Sequence, residues 1–181
     1  MDSVWGETLR GGVSFVNQSV ATELLLKNGR CVGAVLFRER TGEFVAVCAK
    51  ATVFASGGNG QVFRVTTNCR QNTGDGLALV LQAGLPVMDL EAVQFHPTGI
   101  FPSGILVTEG CRGDGGLLLD GNQHRFMPDY EPEKKELASR DVVSRRMEQH
   151  LAAGHGARSR FGDHLWLDIR LLGREHIERK L

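Results

Sequence analysis

Residues 51–60 read A-T-V-F-A-S-G-G-N-G, an almost wholly apolar run of strand length that breaks into glycines. A strand with one wet face alternates apolar and polar residues; 51–56 does not, which predicts a strand covered on both faces, as in a parallel sheet. In open α/β sheets, ligands bind beyond the carboxyl ends of the strands. The glycines at 57–60 fall at that end, where backbone turns tightly or lies against a ligand. A glycine turn after a strand also serves structure alone. The stretch therefore sets the fold class, α/β with an α+β mixture, before it sets a function.

Upstream, residues 3–10 have the pattern of a short amphipathic helix. Extended patterns at 13–26, 31–38 and 44–48 are separated by Lys27-Asn28-Gly29-Arg30 and Thr41-Gly42, which together describe a small β-meander. Downstream, Gly74-Asp75-Gly76 opens a helix over 77–83, with Leu77, Val80 and Leu81 on one face and Gly84-Leu85-Pro86 as the stop. Asp75 stands where an N-cap carboxylate would sit. The glycines beside it also let a ligand approach the helix start, whose free N–H groups favour anions. A strand is expected over 115–119, a turn at 120–122 and a return strand over 124–127. A polar loop, 128–136, leads to a helix that begins at Ser139 and ends at Gly154. Residues 157–162 read as a loop, 164–169 as a short strand and 173–181 as a helix.

The chain has 181 residues, 41% apolar and 23% charged, as in a soluble globular protein. Its 21 basic and 21 acidic residues cancel and form no basic block, which argues against a nucleic-acid partner. No apolar run approaches the ~20 residues of a membrane span, and the N-terminus lacks a targeting pattern. Four scattered cysteines lack C-x-x-C spacing and are expected to be buried or half-buried free thiols in a reducing compartment, with Cys111, which falls among the chemistry-bearing residues, set apart. No histidine pair stands at i,i+4, so no metal site is expected.

Residues 94–116 concentrate the chemistry: Q-F-H-P-T-G, and further on T-E-G-C-R-G-D-G-G. His96 precedes proline, which holds it extended and out of a helix. It can serve as a structural hydrogen-bonding residue or, near Thr108 and an arginine, as a donor to a carboxylate. Glu109 and Arg112 can form a surface ion pair of little worth, or a buried pair that carries protons toward Arg140. Arg140 falls on the same face of its helix as Val143, Met147 and Leu151, at the positive end of the helix dipole. Either a neighbouring acid such as Asp141 pairs with it, or its guanidinium meets a carboxylate ligand in a cleft.

Six ordered motifs carry a resemblance that covers essentially the whole chain. They are A-S-G-G-N-G-Q-V-F (55–63), T-G-D-G-L-A-L (73–79), A-G-L-P-V-M-D-L-E-A-V-Q-F-H-P-T-G-I (83–100), L-V-T-E-G-C-R-G-D-G-G (106–116), R-F-M-P-D-Y (125–130) and L-A-S-R-D-V-V-S-R (137–145). In that order they resemble the flavoprotein subunits of succinate dehydrogenase and fumarate reductase. The resemblance implies a flavoenzyme that interconverts succinate and fumarate. Residues 1–92 would be the second part of a Rossmann-like FAD-binding domain, and 93–181 a substrate-site segment with the beginning of a capping domain. Ser56, Gly57, Gly58 and Asp75 would touch FAD, and His96 and Thr108 would bind the dicarboxylate. Arg140 would exchange the proton, with Glu109 and Arg112 relaying it. A membrane anchor and an iron–sulfur subunit would be partners, with the protein peripheral on the cytoplasmic or mitochondrial matrix face of the membrane. L-aspartate oxidase, on the same fold, is the related alternative. The family's N-terminal dinucleotide fingerprint and its C-terminal site residues are absent from these 181 residues. An interior segment without tight FAD binding or turnover of its own, or a non-catalytic interaction module, is therefore also expected.

Overall fold

The computed structural model describes residues 2–180. They group into two compact units, Met1–Gly57 with Asp75–Met88, and Gly58–Gly74 with Asp89–Leu181.

The first unit opens with helix α1 (Asp2–Arg10) and continues into a three-stranded antiparallel meander of β1 (Ser19–Lys27), β2 (Arg30–Arg38) and β3 (Glu43–Cys48), in that spatial order. The β1–β2 turn has Asn28 at φ 51° and Gly29 at φ 73°, the two positive values that match a hairpin turn to the twist of its strands. Register shifts between Ala21 and Glu23 and between Leu25 and Leu26 bulge β1. Helix α2 (Asp75–Gln82) completes the unit; Leu79 and Leu24 of β1 are both buried. Asp75 is the first residue of α2 and lies inside the helix, one position later than the expected cap.

The strand expected over 51–56 does not form. Those residues pair with no strand among the described residues and lie exposed, Val53 at 87%. A strand needs ladder partners for its N–H and C=O groups, and every sheet present among the described residues is antiparallel and made from other segments.

In the second unit, the glycine-rich stretch after residue 94 is more regular than its sequence reads. A two-stranded ribbon of β4 (Gly99–Ile100) and β5 (Ile105–Leu106) precedes a single helical turn, α3 (Gly110–Gly113). Strand β6 (Leu117–Leu119) follows, but the expected return strand at 124–127 does not. Only Arg125 bridges Leu119, and Met127 begins the helical turn α4 (Met127–Tyr130), where Pro128 suits a first turn. Helix α5 (Arg140–Ala152) has Ser139 at its N-cap and Gly154 at φ 84° just past its end, as expected. The expected loop at 157–162 is instead a hairpin of β7 (Ala157–Ser159) and β8 (Gly162–His164). Strand β9 (Trp166–Asp168) pairs with β6, and α6 (Arg174–Lys180) closes the described chain.

The core of this unit is Leu118, Phe126, Met127, Ala138 and Val143, with Tyr130, Met147 and Leu167 packed on it. It fixes β6, α4, α5 and β9 together, and so fixes where the polar residues at their ends point.

Candidate functional site

In the first unit, Ser56 and Gly57 lead away from the exposed apolar run, and Gly57 takes φ 78°. The Ser56 hydroxyl lies so close to the start of α2 that a Cβ on Gly76 would sit 1.9 Å from Ser56 Oγ. Glycine alone permits that approach. It sets the Ser56 hydroxyl against the first turn of α2, and the free N–H groups of a first helical turn are suited to a phosphate. Gly58 follows directly in the chain, as the first residue of the second unit.

The remaining candidate residues all belong to the second unit. His96 is buried; its backbone N–H donates to Thr67 Oγ1 at 2.8 Å, and its ring Nδ1 lies 3.1 Å from both the carbonyl and the hydroxyl of Thr98. Thr98 in turn donates to the Val107 carbonyl at 3.2 Å, and Val107 N–H returns a bond to Thr98 at 3.0 Å. The ring is therefore fixed through Nδ1. Its other nitrogen, Nε2, is buried without a hydrogen-bond partner among the described residues, an expensive state for a polar atom that no ligand ever meets. Sequence alone does not single out Thr98; its position two residues along an extended H-P-T segment, on the same side as His96, is the signal that reveals it.

Beyond Val107, Thr108 is exposed and its hydroxyl accepts the Gly110 N–H at 3.2 Å, fixing the start of α3. Glu109 bridges two arginines: Oε2 accepts from Arg140 Nη2 at 2.8 Å, and Oε1 lies 3.4 Å from Arg112 Nη2. The helical spacing places Arg140 toward the core, with Asp141 as its neighbouring acid. Instead the Arg140 side chain is about half exposed, and Asp141 pairs with Arg145 at 2.8 Å. As the first residue of α5, Arg140 lies past the edge of the core that begins at Val143, and the Glu109 carboxylate draws it outward.

Arg112 is the buried end of this series. It donates to the Glu136 carbonyl, and its Nε has no partner among the described residues. Burial pushes its guanidinium down from the ordinary value, against the pull of Glu109. Behind it the buried Glu136 carboxylate takes two bonds from Arg125, at 2.8 and 2.6 Å, and the Leu118 N–H at 3.4 Å. Burial alone would raise the Glu136 carboxyl; the Arg125 bonds and the backbone N–H groups outweigh it and hold it below the carboxylate range. Cys111, between the two chemical ends of α3, is buried, and that burial pushes its thiol up. Cys48 and Cys69 are exposed, contrary to expectation, because they sit at a strand end and in a loop.

The hydrogen bond from Arg140 holds the Glu109 carboxyl below the usual range. An unfolded glutamate titrates near 4.3. The stabilisation from this pair is therefore fully present above that pH and is lost as pH falls through the lower folded value. Carbon-detected NMR should show the Glu109 titration move back up in Arg140→Gln; an unmoved midpoint would mean the pair does not form in solution.

The lack of i,i+4 histidines gives no metal expectation, yet Asp120, His150 and His155 bring one ligand atom each to within 4.8 Å of one another.

The model of the FAD binding domain matches residues 5–181. The chain belongs to the FAD binding domain family. FAD is accordingly its cofactor, and the mixed helix and strand content is that of this family's fold. The chain is 50% identical over 180 residues to the fumarate reductase flavoprotein subunit of Helicobacter pylori, covering 99% of this chain and 25% of the relative. It is 42% identical over 181 residues to a mitochondrial succinate dehydrogenase flavoprotein subunit of Xenopus laevis, covering 100% of this chain and 27% of the relative. A solved E. coli quinol fumarate reductase superposes with TM-score 0.84 at 37% identity, over 90% of this chain and 30% of that one. The chain thus spans about a quarter of the length of the curated relatives it matches.

Proposed function

We propose that the protein carrying this chain is an FAD-dependent oxidoreductase that interconverts succinate and fumarate. The observation that carries the proposal is the series Arg140–Glu109–Arg112, open to solvent at Arg140 and closed at Arg112, in the same unit as a histidine with an unsatisfied Nε2. In this reading His96 and Thr108 grip the carboxylates of the substrate. The Arg140 guanidinium faces the dianion and holds or delivers the proton at the substrate carbon. Glu109 accepts the proton that Arg140 gives up and, with Arg112 holding its other oxygen, relays it toward solvent. Its low carboxyl keeps it an ionised acceptor between turnovers. FAD, when bound, supplies or takes the hydride; Ser56, Gly57, Gly58 and Asp75 hold it. In the same reading residues 1–92 belong to the flavin-binding domain and 93–181 to the substrate segment and the start of a capping domain.

The relatives' names, flavoprotein subunits of fumarate reductase and succinate dehydrogenase, support an assembly of several subunits; in the same reading an iron–sulfur subunit and a membrane anchor are the other members. No helix among the described residues is long and apolar enough to cross a membrane.

Stopped-flow absorbance provides the test. Reduced flavin in the purified flavoprotein should be reoxidised by fumarate within a turnover, with succinate as product. Oxidation of L-aspartate in place of this exchange would assign the protein to aspartate oxidation. A stable fold that reacts with neither would make it a non-catalytic module.

A further inference from the structure

We propose that Asp120, His150 and His155 form a binding site for a divalent first-row transition metal of the zinc class, apart from the residues assigned to flavin and dicarboxylate. Three segments meet there: the turn after β6, the last turn of α5, and the residue after Gly154. The positive φ of Gly154 turns the chain back, so that His155 N–H lies 3.3 Å from the His150 carbonyl and the two rings are 4.6 Å apart. The Gly121 N–H then donates to the His155 carbonyl at 2.8 Å. A Cβ on Gly121 would sit 2.7 Å from the Gly156 carbonyl, so glycine is what lets the Asp120 turn close on His155.

Each of the two buried ligands is held by groups that leave one atom facing the cluster. Asp120 Oδ1 is occupied by the N–H groups of Asn122 and His124, at 2.8 and 2.9 Å, which leaves Oδ2 to face His150. His150 Nδ1 lies 3.0 Å from the Tyr130 hydroxyl, and its ring stacks on Phe126 at 4.3 Å. That is the outer contact a metal-bound imidazole uses to fix its ring and present Nε2. His150 Nε2 and Asp120 Oδ2 are 3.4 Å apart. The separation is long for a charge-assisted hydrogen bond, which prefers about 2.7–2.9 Å. It suits two ligands of one ion held about 2.0–2.2 Å from each. His155 is exposed and supplies the entrance, with coordination left over for water. Two imidazoles and one carboxylate select zinc, cobalt or nickel over magnesium or calcium. The C-terminal end of α5, where helix carbonyls point, favours a cation as well.

Isothermal titration with ZnCl2 of the chelator-cleared full flavoprotein should give one saturable site of this origin. His155→Ala and Asp120→Asn should each weaken it at least ten-fold, and His124→Ala, an exposed histidine paired with Asp129, should leave it unchanged. Zinc should raise the melting temperature of the parent protein and not that of His155→Ala. His155 is exposed, so its replacement leaves the metal-free melting temperature in place and decides the matter even where Asp120→Asn folds poorly. No saturable site in the folded parent, or a site that survives His155→Ala, overturns the proposal. Loss in His124→Ala overturns it too.

Discussion

Arg140→Lys in the flavoprotein should lower succinate–fumarate turnover by about 10²–10⁴-fold, the range assigned to a positioned proton donor, while leaving the flavin spectrum intact. Lysine keeps the charge, so electrostatic attraction of a dicarboxylate survives. What it loses is the fork: the planar guanidinium can donate from one nitrogen to Glu109 Oε2, at 2.8 Å, and turn its others to a second acceptor. A compact ammonium on a shorter reach cannot satisfy both. The expected signature is a fall in kcat with a much smaller change in KM. Retention of turnover within a few-fold would remove Arg140 from the proton path. Flavin loss in the same variant would make its role one of architecture.

A second large effect is expected from Glu136→Ala, this time on stability. Glu136 is 3% exposed and ties together Arg125, the Leu118 N–H and, through its backbone, Arg112. Removing the carboxylate leaves the Arg112 charge buried, with the half-exposed Glu109 as its main counter-ion. Arg125, 38% exposed, can swing into water, whereas Arg112 cannot. Stripping one partner from a buried ionic network costs about 3–5 kcal/mol. At roughly 2–4 °C per kcal/mol for a chain of this size, that is on the order of a 10 °C drop in melting temperature. Glu136→Gln should cost less, because it keeps an acceptor for Leu118 and Arg125. A drop of under 2 °C in Glu136→Ala would show that water, not the carboxylate, satisfies the arginines.

What the sequence reveals divides along the range of the interactions. The meander, α2 and α5 are legible because their signals are local: Asn28-Gly29 for a turn, apolar spacing for a helix face, Ser139 and Gly154 for ends. Pairings between distant segments are not. Strand β6 joins β9 rather than residues 124–127 because Pro128 commits that stretch to a helical turn. The β7–β8 hairpin, with Arg158, Ser159 and Asp163, has no apolar alternation to read. The run 51–56 carries the composition of a buried strand and finds no ladder among the described residues, so composition alone misplaces it. At the candidate site, residue types and order point to Glu109, Arg112 and Arg140, while the Glu109–Arg140 contact across 31 residues depends on α3 lying against the turn at 135–137, just before α5. Glu136 and the Asp120–His150–His155 group escape notice because each is defined by neighbours far away in sequence.

The buried thiol of Cys111 bears on how this molecule ages. Sulfur is attacked by peroxide as the exposed thiolate. Cys111 offers neither exposure nor a low proton affinity, while Cys48 and Cys69 lie open and Cys31 is drawn below its ordinary value by Thr52 and Gly33. Oxidative damage therefore accumulates on the meander and the 69–72 loop first. Of the four thiols, the one in the short helical turn beside Arg112 is the last expected to oxidise.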